Sequence, residues 1–410
     1  MKHVIIGMGA AGITAAKTIR ELRQEDKITI ISMDDQVHSR CMLHRYISGE
    51  RKAEDLSFVP EDFFVTNRID LLKEEEVVHI NENKKEVELK SGNFISYDRL
   101  LIATGSNSFI PPIVNFKEAK NVFGLRHLTD AVLIKDYASR SKKILVLGSG
   151  LVGMDAAYGF LEEKKHVTVV EMADRILPKQ LDETASGAYQ KLFEQHGCVF
   201  ELGKKAVLTT INDSDEITSV VLDDGTIVDC DMIVVAAGVK PATSCAENSG
   251  ITIDRFILVD DSLKTSCENI YAAGDVNGIA AIWPNARKQG MTAAYNMCGI
   301  PTTYEDSYGM KNTMNFYGLT TLSLGDGVIS EGDEVKICED SCQYKKAILH
   351  DGYLKSIIIQ GALDYSGIYQ YIIKNHICLN SIKTDIFHLS FADFYGLDEK
   401  GQYEYQQTGS

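Results

Sequence analysis

The stretch His3–Leu22, "HVIIGMGAAGITAAKTIREL", decides the fold. An apolar run at Val4–Ile6 meets glycines at 7, 9 and 12, and apolar residues at helical spacing follow. The next apolar run, "KITIIS" (Lys27–Ser32), completes a strand, glycine turn, helix and second parallel strand. Gly7 serves the tight turn, Gly9 lets a pyrophosphate approach the backbone, and Gly12 lets the helix pack on the strand. The helix N-terminus then offers free N–H groups and a partial positive charge to phosphate.

The unit recurs 141 residues later. "KKILVLGSGLVGMDAAYGFLEEKKHVTVVE" (Lys142–Glu171) carries Gly148, Gly150 and Gly153 between a strand and a helix. One such glycine spacing is weak evidence, but two in the same strand–turn–helix–strand context make two dinucleotide cradles. Glu171 ends the second copy's outer strand, where a carboxylate accepts both ribose hydroxyls and repels a 2′-phosphate; this favours NADH over NADPH. In the first copy Ser32 stands at that place and Asp34 and Asp35 follow. Asp34 is the ribose candidate, a solvated turn being the alternative.

The repetition continues beyond the helices. "EVVHI", "KEVELKSGNFISYD" and "RLLIATGS" follow the first unit; "EITSVVLDDGTIVDCD" and "MIVVAAGVKPAT" follow the second. Each set predicts a small β-meander and then a buried strand ending at a small-residue turn, Ala103-Thr104-Gly105 or Ala236-Ala237-Gly238.

Composition bounds the answer. With 410 residues there is room for two or three domains. No apolar run approaches the ~18 residues of a spanning helix, and "MKHVIIGMGAAG" enters a strand at once, so neither membrane segment nor signal peptide is expected. A net charge of −16 argues against broad binding to nucleic acid or anionic membrane. The nine cysteines are scattered without a CxxC, the pattern of a reduced, cytoplasmic chain. Cys338 and Cys342 form a lone CxxxC; two ligands make no site, and no metal is expected.

With both glycine loops, both turns and "TSCENIYAAGDV" (Thr265–Val276), residues 1–300 or so resemble the FAD-dependent pyridine nucleotide–disulfide oxidoreductases. The fold implied is α/β: two Rossmann-like three-layer dinucleotide-binding domains of glutathione-reductase type, one inserted in the other. FAD would take 1–108 and 240–302, and NADH 109–239. An α+β domain at 303–410 would face the acceptor or a second copy in a homodimer. The resemblance gives the flavin Gly7, Gly9, Ala11, Gly12, Asp34, Arg40, Val77, Ala103, Thr104, Gly105, Gly274 and Asp275, the last on the ribityl chain. It gives NADH Gly148, Gly150, Gly153, Glu171 and Gly238. The following "IAAIWPNARKQGMTAAYNMCG" resembles the WPxAxxQG variant of NADH:rubredoxin reductases and of the flavin modules of NADH nitrite reductases. There Trp283, Pro284 and Ala286 would lie at the flavin edge, on a helix beginning at Asn285 and Ala286.

"HSRCMLHRY" (His38–Tyr46) holds the remaining question. Cys41 has no second cysteine at CxxxxC spacing, which excludes dithiol chemistry of the glutathione-reductase kind. Cys41 and Gly49 match the spacing of the single-cysteine members (NADH peroxidases and oxidases, coenzyme A disulfide reductases). "SRCML" also matches the SRPxL of the electron-transfer reductases, with cysteine for proline. A thiol at a helix N-terminus beside Arg40 and His38 is expected to have a lowered pKa. Against a redox thiol, Ala10 stands where the peroxidases and oxidases carry histidine, and the SFxxC lead-in of the disulfide reductases is missing. Arg45 and Asp155 stand where ferredoxin-reductase relatives pair a lysine with a glutamate across the flavin, which would position the nicotinamide.

The resemblance therefore implies an NADH-dependent FAD reductase passing electrons to a rubredoxin- or ferredoxin-like protein. The alternatives are a thiol, coenzyme A disulfide or peroxide reductase using Cys41, and a flavin-bearing subunit of a larger complex. Arg140, Lys142 and Lys143, or Lys345 and Lys346, are candidates for a basic docking face. The tail "FADFYGLDEKGQYEYQQTGS" reads equally as a docking strap or as unstructured chain.

Overall fold

The computed structural model describes residues 1–306, 311–397 and 399–405. The chain opens with β1 (Lys2–Ile6), α1 (Ala10–Leu22) and β2 (Lys27–Ser32), then a 3-10 turn at Arg40–Met42 running into α2 (Leu43–Ile47). After α3 (Phe63–Thr66) come β3 (Ile69–Lys73), β4 (Val77–Asn81), β5 (Glu86–Leu89), β6 (Phe94–Ser96) and β7 (Arg99–Ile102). The strands β8 (Ser106–Ser108) and β9 (Val122–Gly124) and helix α4 (Leu128–Arg140) lead to the second glycine loop, between β10 (Lys143–Leu147) and α5 (Leu151–Glu162). Next are β11 (His166–Glu171), α6 (Glu183–Gln195), β12 (Val199–Leu202), β13 (Ala206–Ile211), β14 (Ile217–Leu222), β15 (Ile227–Asp229) and β16 (Met232–Val235). The chain returns through β17 (Val239–Pro241), β18 (Ile253–Asp254), β19 (Phe256–Ile257), β20 (Ile270–Ala272) and α7 (Trp283–Met297). The last segment holds β21 (Lys311–Phe316), β22 (Leu319–Gly325), β23 (Asp333–Glu339), β24 (Tyr344–His350), β25 (Tyr353–Gln360), α8 (Gly367–Lys374), β26 (Tyr395–Leu397) and β27 (Tyr403–Tyr405).

Two compact units result. The first comprises Met1–Gly148, Val152–Val169 and Ala206–Gly309; the second comprises Ser149–Leu151, Val170–Lys205 and Met310–Ser410.

In the first unit, the order β20-β7-β1-β2-β3 forms a parallel sheet. Because side chains alternate along a strand, β1 divides its apolar run between two faces. Ile5 joins a core with Ala15, Ile19, Ala293 and Met297 of α1 and α7. Val4 and Ile6 face a core with Val77, Ile80, Val87 and Leu89 of the antiparallel β4-β5-β6 meander. Helices, sheet and meander are the three layers expected from sequence.

The repeat is present in the same unit. β10 pairs with β16 in parallel just as β1 pairs with β7, within an order β11-β10-β16-β9. A second meander, β13-β14-β15, follows. Gly7 and Gly148 take φ values of +104° and +105°, and a Cβ on either would meet the carbonyl oxygen of Ala103 or Ala236 at 2.3 or 2.6 Å. That is why positions 7 and 148 admit no side chain.

The second unit contains the antiparallel sheet β21-β22-β25-β24-β23, followed by α8. This is the α+β pattern expected for the last hundred residues. Part of the tail pairs as the β26–β27 hairpin; positions 398 and 406–410 of that segment lie outside the described residues. Among the described residues no helix is long and apolar enough to cross a membrane.

Candidate functional site

The first glycine loop opens on a pocket lined by Gly7, Gly9, Asp34, Arg40, Val77, Ala103 and Thr104, together with Asn107 and His127. These residues come from five separate places in the sequence. Asp34 Oδ1 lies 3.2 Å from His127 Nδ1 and its Oδ2 3.4 Å from Arg40 Nη2. Burial by itself would raise the Asp34 pKa, but the His127 hydrogen bond and the Arg40 charge outweigh it and hold the carboxyl below its usual range.

Arg40 supplies the test of whether a flavin dinucleotide fits. Its Nη1 lies 3.0 Å from where a Cβ on Gly9 would stand, and its buried Nε has no partner among the described residues. A guanidinium with an unused donor, lying over a glycine loop, suits a pyrophosphate anion. The residues present therefore fit FAD.

Ala11, Gly274 and Ala286 meet where α1 and α7 begin: a Cβ on Gly274 would lie 3.5 Å from the Ala11 Cβ and 3.8 Å from the Ala286 Cβ. Gln289 pins this junction, its Oε1 accepting the Gly274 N–H at 2.7 Å and the Asn277 amide at 2.9 Å. A Cβ on the next residue, Gly290, would come 2.2 Å from the Ala11 carbonyl oxygen. The Gln-Gly of the WPxAxxQG pattern is thus a structural clasp between α7, α1 and the turn at Gly274.

Asp275 accepts from Ser106 Oγ at 2.9 Å and forms an ion pair with Arg126. Helix α7 begins at Trp283, two residues before the expected start, with Pro284 in its first turn. Trp283 packs edge-on to Phe58 at 5.7 Å and lies beneath the Arg287 guanidinium at 5.0 Å.

At the second glycine loop, Gly148 and Gly153 repeat the packing of Gly7 and Gly12, while Gly150 and Gly238 face open space. In the second compact unit Glu171 accepts the Ser149 N–H at 2.7 Å and the Ser149 hydroxyl at 2.9 Å through Oε2, and the Ala173 N–H at 2.9 Å through Oε1. The carboxylate is held rigidly at the strand end where sequence placed it.

Two expectations around Cys41 require correction. The thiol pKa is raised: protein crowding the thiol and then the Asp155 carboxylate push it up, although Cys41 remains exposed at the surface. The chain there forms only a 3-10 turn and the five-residue α2, too short for a strong helix dipole. Arg40, which was to activate the thiol, does pull its pKa down, as Arg126 does, but desolvation and Asp155 outweigh both. The expected Arg45–Asp155 pair is also replaced, since Arg45 Nη1 binds Glu50 at 2.5 Å and Asp155 Oδ2 stands 3.6 Å from His44 Nδ1. Burial pushes the Asp155 carboxyl up to about 7, with Arg45 pulling it down. Burial and then Arg45 lower His44 to about 4.

The candidate basic faces are partly consumed. Lys143 binds Asp229 at 3.0 Å, Arg140 lies over the Tyr137 ring at 4.0 Å, and Lys346 binds Asp182 at 3.0 Å. Sequence reading missed Arg126 and His127, and it gave no role to His44, which flanks Cys41 in the quoted stretch, or to Gln289, the glutamine of the WPxAxxQG pattern. For Arg126 and His127 a weak clue existed in Asp130, whose Oδ2 accepts both their N–H groups at the start of α4. His44 carried no pattern of its own.

Known proteins bear on this geometry. The chain is 30% identical to the epsilon subunit of an NADH-dependent phenylglyoxylate dehydrogenase from Aromatoleum evansii, over 87% of each chain. It is 33% identical to an NADH oxidase of Methanocaldococcus jannaschii, over 74% of this chain and 71% of that one. The crystal structure of the NADH:rubredoxin oxidoreductase from Clostridium acetobutylicum superimposes with a TM-score of 0.76 at 24% identity, covering 93% of this chain and 97% of that one, a likeness of fold. The family described as pyridine nucleotide-disulphide oxidoreductase matches residues 1–290. The two cradles and that match have one conclusion: the chain belongs to the pyridine nucleotide-disulphide oxidoreductase family and is an FAD-dependent NAD(P)H oxidoreductase.

Proposed function

We propose that the chain takes electron pairs from NADH and passes them singly, through FAD, to a small redox protein of rubredoxin or ferredoxin type. The observation that carries this reading is Cys41. Its pKa is raised rather than lowered, because desolvation and the Asp155 carboxylate outweigh the pull of Arg126 and Arg40, while Arg45 is paired with Glu50. A protonated thiol is a poor nucleophile, so Cys41 serves better as a wall of the flavin site than as a redox centre.

Bound FAD supplies the chemistry that couples two-electron donors to one-electron acceptors. The protein's part is to hold and orient. Arg40 and the loop at Gly7, Gly9, Ala11 and Gly12 would take the pyrophosphate, with Asp34 on the ribose. Asp275 would take the ribityl chain, beside Gly105 and Gly274, and the start of α7 would face the ring system. Gly148, Gly150 and Gly153 would receive NADH, with Glu171 selecting it over NADPH. In this reading FAD occupies 1–108 and 240–302, NADH 109–239, and 303–410 meets the acceptor. Similarity to a named dehydrogenase subunit supports a related reading, in which the acceptor is a neighbouring subunit of one complex.

Stopped-flow reduction by NADH, then a screen of rubredoxin, ferredoxin, coenzyme A disulfide, peroxide and oxygen, tests the proposal. The expected result is flavin bleaching by NADH and turnover with an iron protein that survives Cys41→Ser. A Cys41→Ser protein that keeps its flavin but loses every acceptor would instead establish the thiol reductase.

A further inference from the structure

Helices α2 and α5 touch closely. A Cβ on Gly159 would stand 3.1 Å from the His44 carbonyl oxygen. Asp155 lies one turn earlier on the same face of α5, which brings its carboxylate to the His44 ring, 3.6 Å away. The Asp155 side chain is 31% exposed and that of His44 15%. Other charged or titratable groups near the pair are Cys41, Arg45, Glu50 and Arg51 on the preceding segment and Tyr158 and Glu162 on α5. Lys135 of α4 reaches the far side of α2, where its Nζ donates to the Tyr46 carbonyl oxygen at 2.8 Å. Among the described residues neither Lys nor Arg forms an ion pair with Asp155.

The charges felt at the Cys41 thiol are those of Asp155 on one hand and of Arg126, Asp275 and Arg40 on the other. In the chain Cys41 stands between Arg40, which lines the flavin cradle, and His44, which faces Asp155.

We propose that Asp155 is the proton-exchange group of this enzyme and that His44 positions it. The proposal rests on the one-electron reading above. When two one-electron acceptors oxidise one NADH, the nicotinamide C–H bond gives up its hydride pair. Both electrons then leave to the acceptors, and one proton remains. Asp155 takes that proton, forming an O–H bond at Oδ2, and returns it to water at its exposed edge. His44 stays a neutral imidazole, and closing the 3.6 Å gap by about half an ångström lets it accept a hydrogen bond from the carboxyl while that is protonated. Burial places the two groups suitably, with the carboxyl at about 7 and the imidazole at about 4.

The test uses the FAD-loaded full chain with ferricyanide, a one-electron acceptor that needs no docking face. The expected result is a kcat that rises with pH through about 7, an ionisation that disappears in Asp155→Asn together with ~10²-fold of kcat. Asp155→Glu restores much of the rate, and His44→Gln moves the midpoint without removing it. A second readout is the ¹³C titration of the Asp155 carboxyl, assigned by its loss in Asp155→Asn. An Asp155→Asn protein within about twofold of wild type at every pH, or a carboxyl titrating in the ordinary range near ~4, overturns the proposal. Ferricyanide turnover that depends on Asp155, in a protein that reduces neither rubredoxin nor ferredoxin, supports the proton exchange and removes only the partner reading.

Discussion

Gln289 shows how much one buried amide can carry. Its Oε1 accepts from both the Gly274 N–H and the Asn277 side chain, so removing it strands the buried Gly274 N–H and leaves the Asn277 amide only its bond to the Ala272 carbonyl oxygen. Gln289→Leu is expected to cost about 1–3 kcal/mol of stability and to lower the FAD retained on purification; thermal melts and the visible absorption of the flavin check both. Glu171 is the corresponding anchor of the second loop, with three donors directed at its two oxygens. Glu171→Ala should raise KM for NADH by ~10-fold or more and narrow the preference over NADPH, since a 2′-phosphate no longer meets a carboxylate. Steady-state kinetics with both nucleotides decide this, and unchanged KM values would show the carboxylate to be structural only.

Between elements, the α2–α5 contact carries two groups whose pKa values burial moves in opposite directions. His44 falls to about 4, so between about pH 4 and 6.5 the unfolded chain binds more protons and stability rises with pH. Asp155 rises to about 7, so from about pH 4 to 7 the folded chain binds more protons and stability falls with pH. In wild type the two slopes largely cancel below about pH 6.5. Asp155→Asn should expose the rising slope and His44→Gln the falling one, each on the order of 1–3 kcal/mol across the window. Denaturant melts at several pH values measure this; parallel profiles in all three proteins would contradict it. The α1–α7 crossing is simpler. Gly290→Ala gains about 1 kcal/mol of helix propensity, yet its methyl would meet the Ala11 carbonyl oxygen at 2.2 Å. A net loss of roughly 1–3 kcal/mol is expected.

At the scale of the whole molecule, a net charge of −16 repels anions. The kcat/KM for ferricyanide should therefore rise with added salt, as screening weakens that repulsion; a fall would reveal a local basic face stronger than the global field. The sequence by itself determined the doubled unit, its two glycine turns, the meanders and the Glu171 anchor. Each of these depends on contacts within about thirty residues or on a backbone demand that only glycine meets. Tertiary structure decided the rest. Asp34, Arg40 and His127 meet only because α4 begins beside the first glycine loop, and His44 displaces Arg45 at Asp155 only because Gly159 lets two helices touch. The shift of Cys41 likewise follows from desolvation and a carboxylate far away in sequence, which depend on what surrounds a residue in space rather than on its neighbours in the chain.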